Sequence, residues 1–280
     1  MSRHMVVVGG GTMGAGIAHA FLVAGAEVTI AESDPDAAEQ ARVRVRASLR
    51  KGEDRGKLPD GSTADGLVAT LRTATSWAEV GDADLVVEAV PEDPALKRSV
   101  LVAAEDAAPN ADLASNTSSL SIADLACELR RPDRFCGMHF FNPVPASALV
   151  EVVTHEGVAD DRIERAVRDA ESLGLTPVTV RDAPGFATSR LGLAAGLEAI
   201  RMLEEDVATA SDIDTAMCLG YKWPIGPLRL GDLIGLDVRL AIAEYLAVRL
   251  GARFEPPQLL RDKVAAGELG KKAGQGFYTW

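Results

Sequence analysis

The chain has few cysteines and no long apolar segment among its 280 residues. Cysteine occurs at three positions, Cys127, Cys136 and Cys218, without the spacing of a metal site or a redox motif. We therefore expect these thiols to be reduced, buried and structural, and we expect no bound metal ion. No apolar run approaches the ~20 residues that span a bilayer. The chain passes into a strand almost at once, which leaves no room for a signal peptide and favours a cytoplasmic location.

Positive charge is also scarce in this sequence. The 29 Lys and Arg residues are outnumbered by 41 Asp and Glu residues, which gives a formal net charge of −12. Nucleic acids and anionic membranes attract basic surfaces, so the composition argues against both as main partners. A polyanionic small ligand is still compatible with it, because such a ligand needs only a local basic pocket. The length suits two compact domains.

The first part of the chain has the pattern of a βαβ unit. Residues 5–8 (MVVV) form a short apolar run, typical of a strand buried on both faces. Residues 13–25 have helical periodicity, and residues 27–31 (EVTIA) form a second strand. Two strands joined in this way by a helix lie parallel in one sheet.

Strands and helices continue to alternate as far as residue 182. Strand-like runs lie near residues 71–74, 84–90, 112–115, 135–140, 148–153 and 176–180. Helical segments lie near residues 94–107, 121–129 and 160–173. The alternation predicts an α/β fold for residues 1–182, a Rossmann-type doubly wound and mostly parallel sheet.

The pattern changes after residue 182, because the sequence of residues 186–280 predicts helices throughout. Residues 211–214 (SDID) resemble a helix start, and Gly220 is a candidate for the residue that closes that helix. We therefore predict a smaller all-helical domain over residues 183–280.

A glycine motif joins the first strand to the first helix. Residues 9–14 (GGGTMG) match the pattern G-x-G-x-x-G in the context that a dinucleotide site requires. Gly9 permits a tight turn, Gly11 lets the backbone approach a pyrophosphate, and Gly14 lets the helix pack closely on the strand. Phosphates then meet free N–H groups in the first helical turn, which contains Thr12 and Met13. The motif predicts that residues 1–182 bind a dinucleotide.

Glu32 identifies the preferred dinucleotide. It ends the second strand, where an acidic side chain accepts hydrogen bonds from the hydroxyls of the adenosine ribose. The neighbouring Ser33 and Asp34 offer no positive charge to a 2′-phosphate, which the two acids would repel. The sequence therefore favours NAD over NADP.

One of the four histidines stands out as a candidate for chemistry. We interpret the other three as an N-terminal tail residue (His4), a structural helix residue (His19) and a solvated turn residue (His155). His139 ends an apolar strand, and Glu151 lies inside another one. A carboxylate in a β-branched apolar strand is costly unless it is paired, so we expect the two side chains to form an acid–base pair.

Six blocks of sequence match the pattern of one enzyme family, and those at residues 115–119 (SNTSS) and 139–143 (HFFNP) are highly specific in combination. The six blocks are residues 9–18, 87–92 (VEAVPE), 114–120 (ASNTSSL), 139–145 (HFFNPVP), 182–186 (DAPGF) and 270–278 (GKKAGQGFY). Over nearly its whole length the chain resembles the 3-hydroxyacyl-CoA dehydrogenase family. The resemblance implies NAD-dependent oxidation of a short-chain (S)-3-hydroxyacyl-CoA, such as 3-hydroxybutyryl-CoA, to the 3-oxoacyl-CoA, and the reverse reduction.

The resemblance also implies a role for individual residues. His139 is similar to the family's catalytic base, and Glu151 to its carboxylate partner. Ser118 is similar to the hydroxyl that contacts both substrate and nicotinamide ribose, and Asn142 to a residue near the nicotinamide and the acyl-CoA. Further cofactor contacts are implied for Glu92, Lys97 and Lys272. Contacts with the CoA phosphates are implied for Arg50, Lys51, Arg55 and Lys57.

The family resemblance further implies a homodimer that forms through the C-terminal domain. The apolar helices at residues 191–203 and 236–250 are the candidates for that interface.

Two positions depart from the family pattern. Ser189 replaces an asparagine that faces the substrate, and residues 147–148 (SA) replace Met-Lys. A serine can still donate a hydrogen bond, but it reaches less far. Both changes bear on acyl-chain preference and turnover, and neither alters His139 or Glu151.

We weigh three other hypotheses from the sequence, and the absence of a lysine counts against the second. A related dehydrogenase could act on a free hydroxy acid, a sugar acid or a carrier-bound thioester with the same histidine and glutamate. A dehydrogenase like that of 6-phosphogluconate needs a catalytic lysine, which residues 189–193 (SRLGL) lack. A non-catalytic NAD-binding protein is the third hypothesis, and the departure from the family pattern at Ser189 keeps it open.

Overall fold

A computed structural model describes residues 3–280 of the chain. The chain divides into two compact units between Asp182 and Ala183. The first unit contains an eight-stranded sheet with helices, and the second consists mainly of helices. No helix in the described part of the chain is long and apolar enough to cross a membrane.

The sheet of the first unit has the strand order β3-β2-β1-β4-β5-β6-β7-β8. The strands are β1 (His4–Val8), β2 (Glu27–Ala31), β3 (Arg72–Ala74), β4 (Leu85–Glu88), β5 (Asp112–Ser115), β6 (Phe135–Phe140), β7 (Leu149–Thr154) and β8 (Thr176–Arg181). All neighbouring strands are parallel except β6 and β7, which are antiparallel. The first six strands have the doubly wound order of the Rossmann fold. The predicted fold class is therefore confirmed.

Six α-helices connect these strands. They are α1 (Thr12–Val23), α2 (Pro35–Glu53), α3 (Ala64–Thr70), α4 (Pro94–Ala107), α5 (Ile122–Ala126) and α6 (Asp160–Ser172). Short 3-10 turns lie at Trp77–Glu79, Pro132–Arg134 and Val144–Ala146. Asp34 and Asp93 begin α2 and α4 by accepting hydrogen bonds from backbone N–H groups, and a proline follows each of them.

The core of the first unit lies between the central strands and these helices. Strands β1 and β4 carry almost only buried residues, as expected for strands covered on both faces. Val7, Ile17 and Ile30 are fully buried and belong to one apolar cluster. Because the central strands are covered on both faces, their carboxyl ends form the rigid edge on which a site can be built.

The second unit contains five α-helices. They are α7 (Thr188–Glu204), α8 (Ala210–Gly220), α9 (Pro227–Ile234), α10 (Leu236–Leu250) and α11 (Gln258–Ala265). Leu197, Leu236 and Leu246 are among the buried residues of its core. The prediction that residues 186–280 are entirely helical is wrong at the end of the chain. Gln275 forms isolated β-bridges there with Gly270 and Thr279.

The predicted start of α8 was also wrong. Thr209 caps this helix by accepting a hydrogen bond from the Asp212 N–H. Asp214 has a different role, because its carboxylate accepts hydrogen bonds of 2.9 Å from the N–H groups of Leu228 and Arg229 at the start of α9. Gly220 was predicted to close this helix from just beyond its end, but it is the last residue of the helix itself. The positive φ, of 62°, occurs further along the chain, at Lys222.

The three cysteines are free, but they do not share one environment. Cys136 is buried in β6, and burial raises the pKa of its thiol. Cys218 is half-buried, and Cys127 is exposed, with its Sγ atom 3.1 Å from the Asp124 carbonyl oxygen. The expectation of three buried cysteines is therefore wrong, since one of these thiols lies at the surface.

Candidate active site

A cavity of about 740 Å³ lies at the carboxyl ends of β1, β2 and β4. Its walls include the residues that follow these strands and two residues of α4. An open α/β sheet binds ligands at this edge, where the strand order reverses. The edge is therefore the expected position for a dinucleotide.

The glycine motif shapes one wall of the cavity. Gly9 has a φ of +90°, which favours glycine, and this turn redirects the chain from β1 into α1. A Cβ atom on Gly14 would lie 1.8 Å from the Gly9 carbonyl oxygen, so only glycine allows this approach of helix and strand. A Cβ atom on Gly11 would meet no atom within 4 Å, and Gly11 lines the cavity. The backbone is thus open where phosphates would approach it.

The first turn of α1 provides hydrogen-bond donors at the same place. No side chain caps this helix, and Thr12 and Met13 in its first turn line the cavity. The first N–H groups of a helix have no partner within the helix and carry partial positive charge. An uncapped N-terminus beside open space fits the pyrophosphate of a dinucleotide.

Glu32 lies in the cavity wall at the end of β2. Its Oε1 atom accepts a hydrogen bond of 2.6 Å from the Gly10 N–H, which fixes the carboxylate against the glycine loop. None of the residues that line the cavity is Lys or Arg. The walls therefore offer no cation to the 2′-phosphate of NADP, and a ribose with free hydroxyls fits better.

Trp77 is a member of the cavity wall that the sequence analysis missed. It lies in the 3-10 turn after β3, where Ser76 and Glu79 form a capping box, and it is half-buried. With Leu96 and Val100 of α4 it forms an apolar part of the wall. The position of Trp77 just beyond a strand that ends at this edge could have indicated that it lines the cavity.

His139 and Glu151 are brought together by the antiparallel pairing of β6 with β7. They lie directly opposite each other in the register of β6 and β7. His139 Nδ1 is 2.8 Å from Glu151 Oε2, and both residues are buried. The His139 ring also contacts the Phe141 ring, with centroids 4.4 Å apart. The imidazole is thus fixed from two sides at the end of β6, which lies at the same edge of the sheet as the cavity.

Asn116 is a second residue that the sequence analysis left without a role. Its Oδ1 atom accepts a hydrogen bond of 2.9 Å from the Phe140 N–H, the residue next to His139. The Asn116 N–H in turn donates to the Glu88 carbonyl oxygen at 2.8 Å. Asn116 therefore ties the end of β6 to the end of β4.

Ser118 lies in the loop after β5 and is half-buried. Glu92 Oε1 accepts hydrogen bonds from the Ser118 N–H at 3.0 Å and from Thr117 Oγ1 at 2.5 Å. These bonds use the backbone of Ser118 and not its hydroxyl. Asn142 is exposed just beyond His139. The loop after β5 thus presents the Ser118 hydroxyl. The loop after β6 presents the Asn142 amide, which is close to His139 in sequence.

Lys97, for which the family resemblance implies a cofactor contact, has a fully buried side chain. Its Nζ atom is 2.8 Å from Glu88 Oε1 and 3.3 Å from Glu92 Oε2. The ammonium is therefore enclosed by carboxylates beneath the loops and does not line the cavity.

The basic residues proposed for CoA lie at the end of α2 and in the turn after it. Lys51, Arg55 and Lys57 are exposed there, and Arg50 Nη2 is 3.6 Å from Asp65 Oδ1. Ser189 and Lys272 belong to the second unit. Ser189 lies in the first turn of α7, and Lys272 Nζ is 2.6 Å from Asp237 Oδ2.

The remaining histidines are part of the framework. His4 begins β1 and contacts Thr29 Oγ1 at 2.9 Å, so its placement in a free tail was wrong. His19 is buried, its Nδ1 atom lies 2.8 Å from Ser48 Oγ, and burial lowers its pKa from 6.5 to about 4. His155 Nε2 lies 3.2 Å from the Phe135 carbonyl oxygen, so this ring is held by the protein and is not simply solvated.

A dinucleotide cavity and a histidine–glutamate pair at one edge of a doubly wound sheet are the combination found in pyridine-nucleotide dehydrogenases. The comparisons with known proteins agree with this class. The family model of the 3-hydroxyacyl-CoA dehydrogenase NAD-binding domain matches residues 4–183, and that of the C-terminal domain matches residues 185–280. The chain belongs to the 3-hydroxyacyl-CoA dehydrogenase family and is an NAD-dependent oxidoreductase.

Individual relatives are similar over their whole length. A protein of Deinococcus radiodurans named probable 3-hydroxybutyryl-CoA dehydrogenase is 39% identical over 276 residues, which cover 98% of this chain and 99% of the relative. The crystal structure of Mycobacterium tuberculosis FadB2 has a TM-score of 0.94 and 38% identity, and covers 100% of this chain and 99% of its own. That of (S)-3-hydroxybutyryl-CoA dehydrogenase from Ralstonia eutropha has a TM-score of 0.93 and 38% identity, with the same coverage.

Proposed function

We propose that this protein oxidises a short-chain (S)-3-hydroxyacyl-CoA, such as 3-hydroxybutyryl-CoA, with NAD, and catalyses the reverse reduction. The observation that carries the proposal is the 2.8 Å contact between His139 Nδ1 and Glu151 Oε2 at the edge of the sheet that binds the dinucleotide. Membership of the family and the names of the relatives support the substrate class.

His139 acts as the general base in oxidation and as the general acid in reduction. A carboxylate only accepts hydrogen bonds, so Glu151 favours the tautomer in which Nδ1 carries the proton. Nε2 then takes the proton of the substrate's 3-hydroxyl group, and Glu151 stabilises the imidazolium that forms. NAD, when bound, supplies the acceptor for the hydride that leaves the carbon bearing this hydroxyl group.

Ser118 and Asn142 hold the substrate oxygen. The Ser118 hydroxyl is not used by the hydrogen bonds that fix its backbone, and Asn142 is exposed beyond His139. We assign to Ser118 a contact with both the 3-oxygen and the nicotinamide ribose. We also assign a substrate contact to Ser189, in the first turn of α7.

Binding of NAD involves Gly9, Gly11, Thr12, Met13 and Gly14. The open backbone at Gly11 and the uncapped start of α1 accept the pyrophosphate. Glu32 accepts hydrogen bonds from the adenosine ribose, and Trp77 provides an apolar surface for the adenine ring. We also assign cofactor contacts to Glu92 and Lys272.

CoA recognition is assigned to the basic residues at the end of α2 and in the turn after it. Lys51 and Lys57 are exposed, and the CoA molecule carries three phosphates that such cations attract. Because the whole chain has a net charge of −12, this local cluster is needed to bind an anionic substrate.

Three further assignments complete the proposal. Two copies pair through the second unit, where Leu191, Val238 and Val248 are exposed on α7 and α10. The enzyme acts in the cytoplasm, where its three free thiols stay reduced. Its pathway is fatty acid metabolism.

The test is an assay of NADH absorbance with acetoacetyl-CoA as substrate. We expect turnover with NADH and much less with NADPH. Acetoacetate and acetoacetylated acyl carrier protein distinguish the free-acid and carrier-bound alternatives, and a series of 3-oxoacyl-CoA chain lengths defines the preference. A protein that binds NADH but turns over none of these substrates would contradict the proposal.

A further inference from the structure

A buried arginine without a counter-ion lies in the second unit. Arg239 is the fourth residue of α10, and only 7% of its surface is exposed. Within residues 3–280, its guanidinium forms no ion pair and no hydrogen bond, and burial alone lowers its pKa to about 10. The other residues that line a small cavity beside it, among them Leu228 and Leu236, are apolar. A buried charge is costly unless it is paired, so this position calls for an anion.

The guanidinium is directed at a face of α7 that has no side chains. A Cβ atom on Gly192 would lie 3.8 Å from Arg239 Nη1, and outside α7 it would meet no other atom within 4 Å. A Cβ atom on Gly196 would meet none at all. Glycine inside a helix is less favourable than alanine, and no close contact requires it at either position. The two glycines therefore leave open space beside a buried cation.

Ser189 lies at the beginning of the same face. Residues three and four apart are neighbours on a helix, so Ser189, Gly192 and Gly196 form one line along α7, here called the glycine groove. Gly192 lies about 4.5 Å beyond Ser189 along the helix axis, a distance that about three to four carbon–carbon bonds cover. The exposed Leu191, which we assign to the pairing of two copies, projects from another side of the helix.

We propose that the acyl group of the substrate lies along the glycine groove and ends in a carboxylate, which Arg239 binds. The preferred substrates are then CoA thioesters of 3-hydroxy and 3-oxo dicarboxylic acids. Carbons 1 to 3 carry the thioester and the reacting oxygen, and about three more reach Arg239. The proposal rests on the function proposed above, in which Ser189 contacts the substrate.

The chemistry of Arg239 fits this ligand. A guanidinium donates two parallel hydrogen bonds to a carboxylate, and apolar surroundings strengthen the ion pair. The first turn of α10 adds positive potential from the helix dipole at the same place. A methyl group at the end of the acyl chain would leave the guanidinium without a partner.

The first test compares two substrates of equal length. 3-Oxoadipyl-CoA and 3-oxohexanoyl-CoA both have six acyl carbons, and only the first ends in a carboxylate. We expect the parent protein to reduce 3-oxoadipyl-CoA with a kcat/KM at least about tenfold higher. Arg239→Met should lower kcat/KM for 3-oxoadipyl-CoA at least about 30-fold and change that for 3-oxohexanoyl-CoA less than about threefold. Arg239→Lys keeps the charge but loses the paired hydrogen bonds, so it should retain part of the preference.

Arg249→Met is the matched control. It removes an exposed cation from the other end of α10, where the guanidinium lies 5.4 Å from the centre of the Tyr245 ring. This variant should keep the preference of the parent protein. A parent protein without preference, or a preference that survives in Arg239→Met, would overturn the proposal.

A second variant fills the groove and leaves Arg239 in place. Gly192→Leu should not lower the melting temperature, because leucine favours the helix and enters open space. We expect kcat/KM for 3-oxoadipyl-CoA to fall at least about tenfold, and that for the shorter acetoacetyl-CoA to change less than about threefold. Equal losses with both substrates would contradict an acyl chain in the groove.

The stability and assembly of Arg239→Met test a structural role. Removal of an unpaired buried charge should leave the melting temperature equal or higher, and the mass in analytical ultracentrifugation should not change. A lower melting temperature or a changed oligomeric state, with unchanged substrate preference, would show that Arg239 pairs with a second copy of the chain. That result would also overturn the proposal.

Binding of unreactive thioesters separates this proposal from the proposed function. Adipyl-CoA and hexanoyl-CoA have no oxygen at carbon 3, and calorimetric titration measures their affinities without turnover. Tighter binding of adipyl-CoA by the parent protein, lost in Arg239→Met, would support the carboxylate site even if no thioester were reduced. Turnover of acetoacetyl-CoA together with equal affinities for the two thioesters would overturn this proposal and leave the proposed function standing.

Discussion

His139 and Glu151 face each other across the antiparallel strands β6 and β7, with Nδ1 2.8 Å from Oε2. Opposite positions in an antiparallel pair bring side chains into direct contact, so the backbone itself sets this geometry. Both residues are buried, so the hydrogen bond lies in a medium that strengthens it. The pair is therefore built into the sheet and does not depend on a flexible loop.

Replacement of His139 by Gln should remove the general base while keeping a polar side chain of similar size. Because positioned acid–base catalysis is worth ~10²–10⁴-fold, we expect kcat to fall by that factor. NADH affinity, measured by fluorescence titration, should be nearly unchanged. His155→Gln is the control, since that ring contacts the Phe135 carbonyl oxygen and has no assigned role in the reaction. Full activity in His139→Gln would show that the base is another group.

Replacement of Glu151 by Gln tests the carboxylate separately. The amide that this substitution introduces keeps the shape of the side chain but carries no charge to stabilise an imidazolium. We expect kcat to fall on the order of 10²-fold, with a small change in KM. Measurement of kcat and KM in both reaction directions checks this. A loss confined to KM would mean that Glu151 shapes the substrate site and does not assist the base.

Two glycines of the phosphate loop should respond differently to the same substitution. A Cβ atom on Gly14 would lie 1.8 Å from the Gly9 carbonyl oxygen, whereas one on Gly11 meets no atom within 4 Å. Gly14→Ala should therefore lower the free energy of unfolding by about 1–3 kcal/mol or more, because a backbone atom cannot move aside. Gly11→Ala should leave stability nearly unchanged and weaken NADH binding at least about tenfold.

Urea denaturation and NADH titration of both variants distinguish these effects. Equal losses of stability in the two variants would contradict the distinction between a packing glycine and a phosphate-facing glycine.

The sequence was sufficient to predict the sheet because apolar strands and helices alternate clearly along it. The facing of His139 and Glu151 was inferred because an acid in an apolar strand requires a partner. The burial of Lys97 could not be inferred, because α4 brings its ammonium onto Glu88 only in the folded chain. Trp77 was missed for a similar reason, since its place in the cavity depends on how β3 pairs with β2.

Local sequence patterns were least reliable for residues that can cap either of two helices. Asp214 looked like part of a helix start, but its carboxylate caps the following helix across the fold. Thr209 caps α8 instead. Both residue types can accept from backbone N–H groups, so only the tertiary structure decides which helix each one serves.

Trp77 should contribute to cofactor affinity. Trp77 lines the cavity together with Leu96 and Val100, and Glu32 lines the same cavity. Stacking of a base on an aromatic ring is worth ~1–3 kcal/mol, so Trp77→Ala should weaken NADH binding about 5- to 150-fold. Isothermal titration calorimetry measures this, and Trp223→Ala in the second unit is the control. Equal affinity in Trp77→Ala and the parent protein would exclude a role in adenine binding.

His19 should make the stability of the protein sensitive to mild acid. Burial lowers its pKa from 6.5 to about 4, so between these values the unfolded chain binds a proton that the folded chain does not. The free energy of unfolding must then decrease as the pH falls from 6.5 towards 4. The stability that the neutral His19 provides is fully present above pH 6.5. His19→Asn, which keeps a polar atom near Ser48, should lose less stability over that range. Urea denaturation at several pH values measures the difference, with His155→Asn as the control. Parallel pH profiles for His19→Asn and the parent protein would rule out His19 as the source of the acid sensitivity.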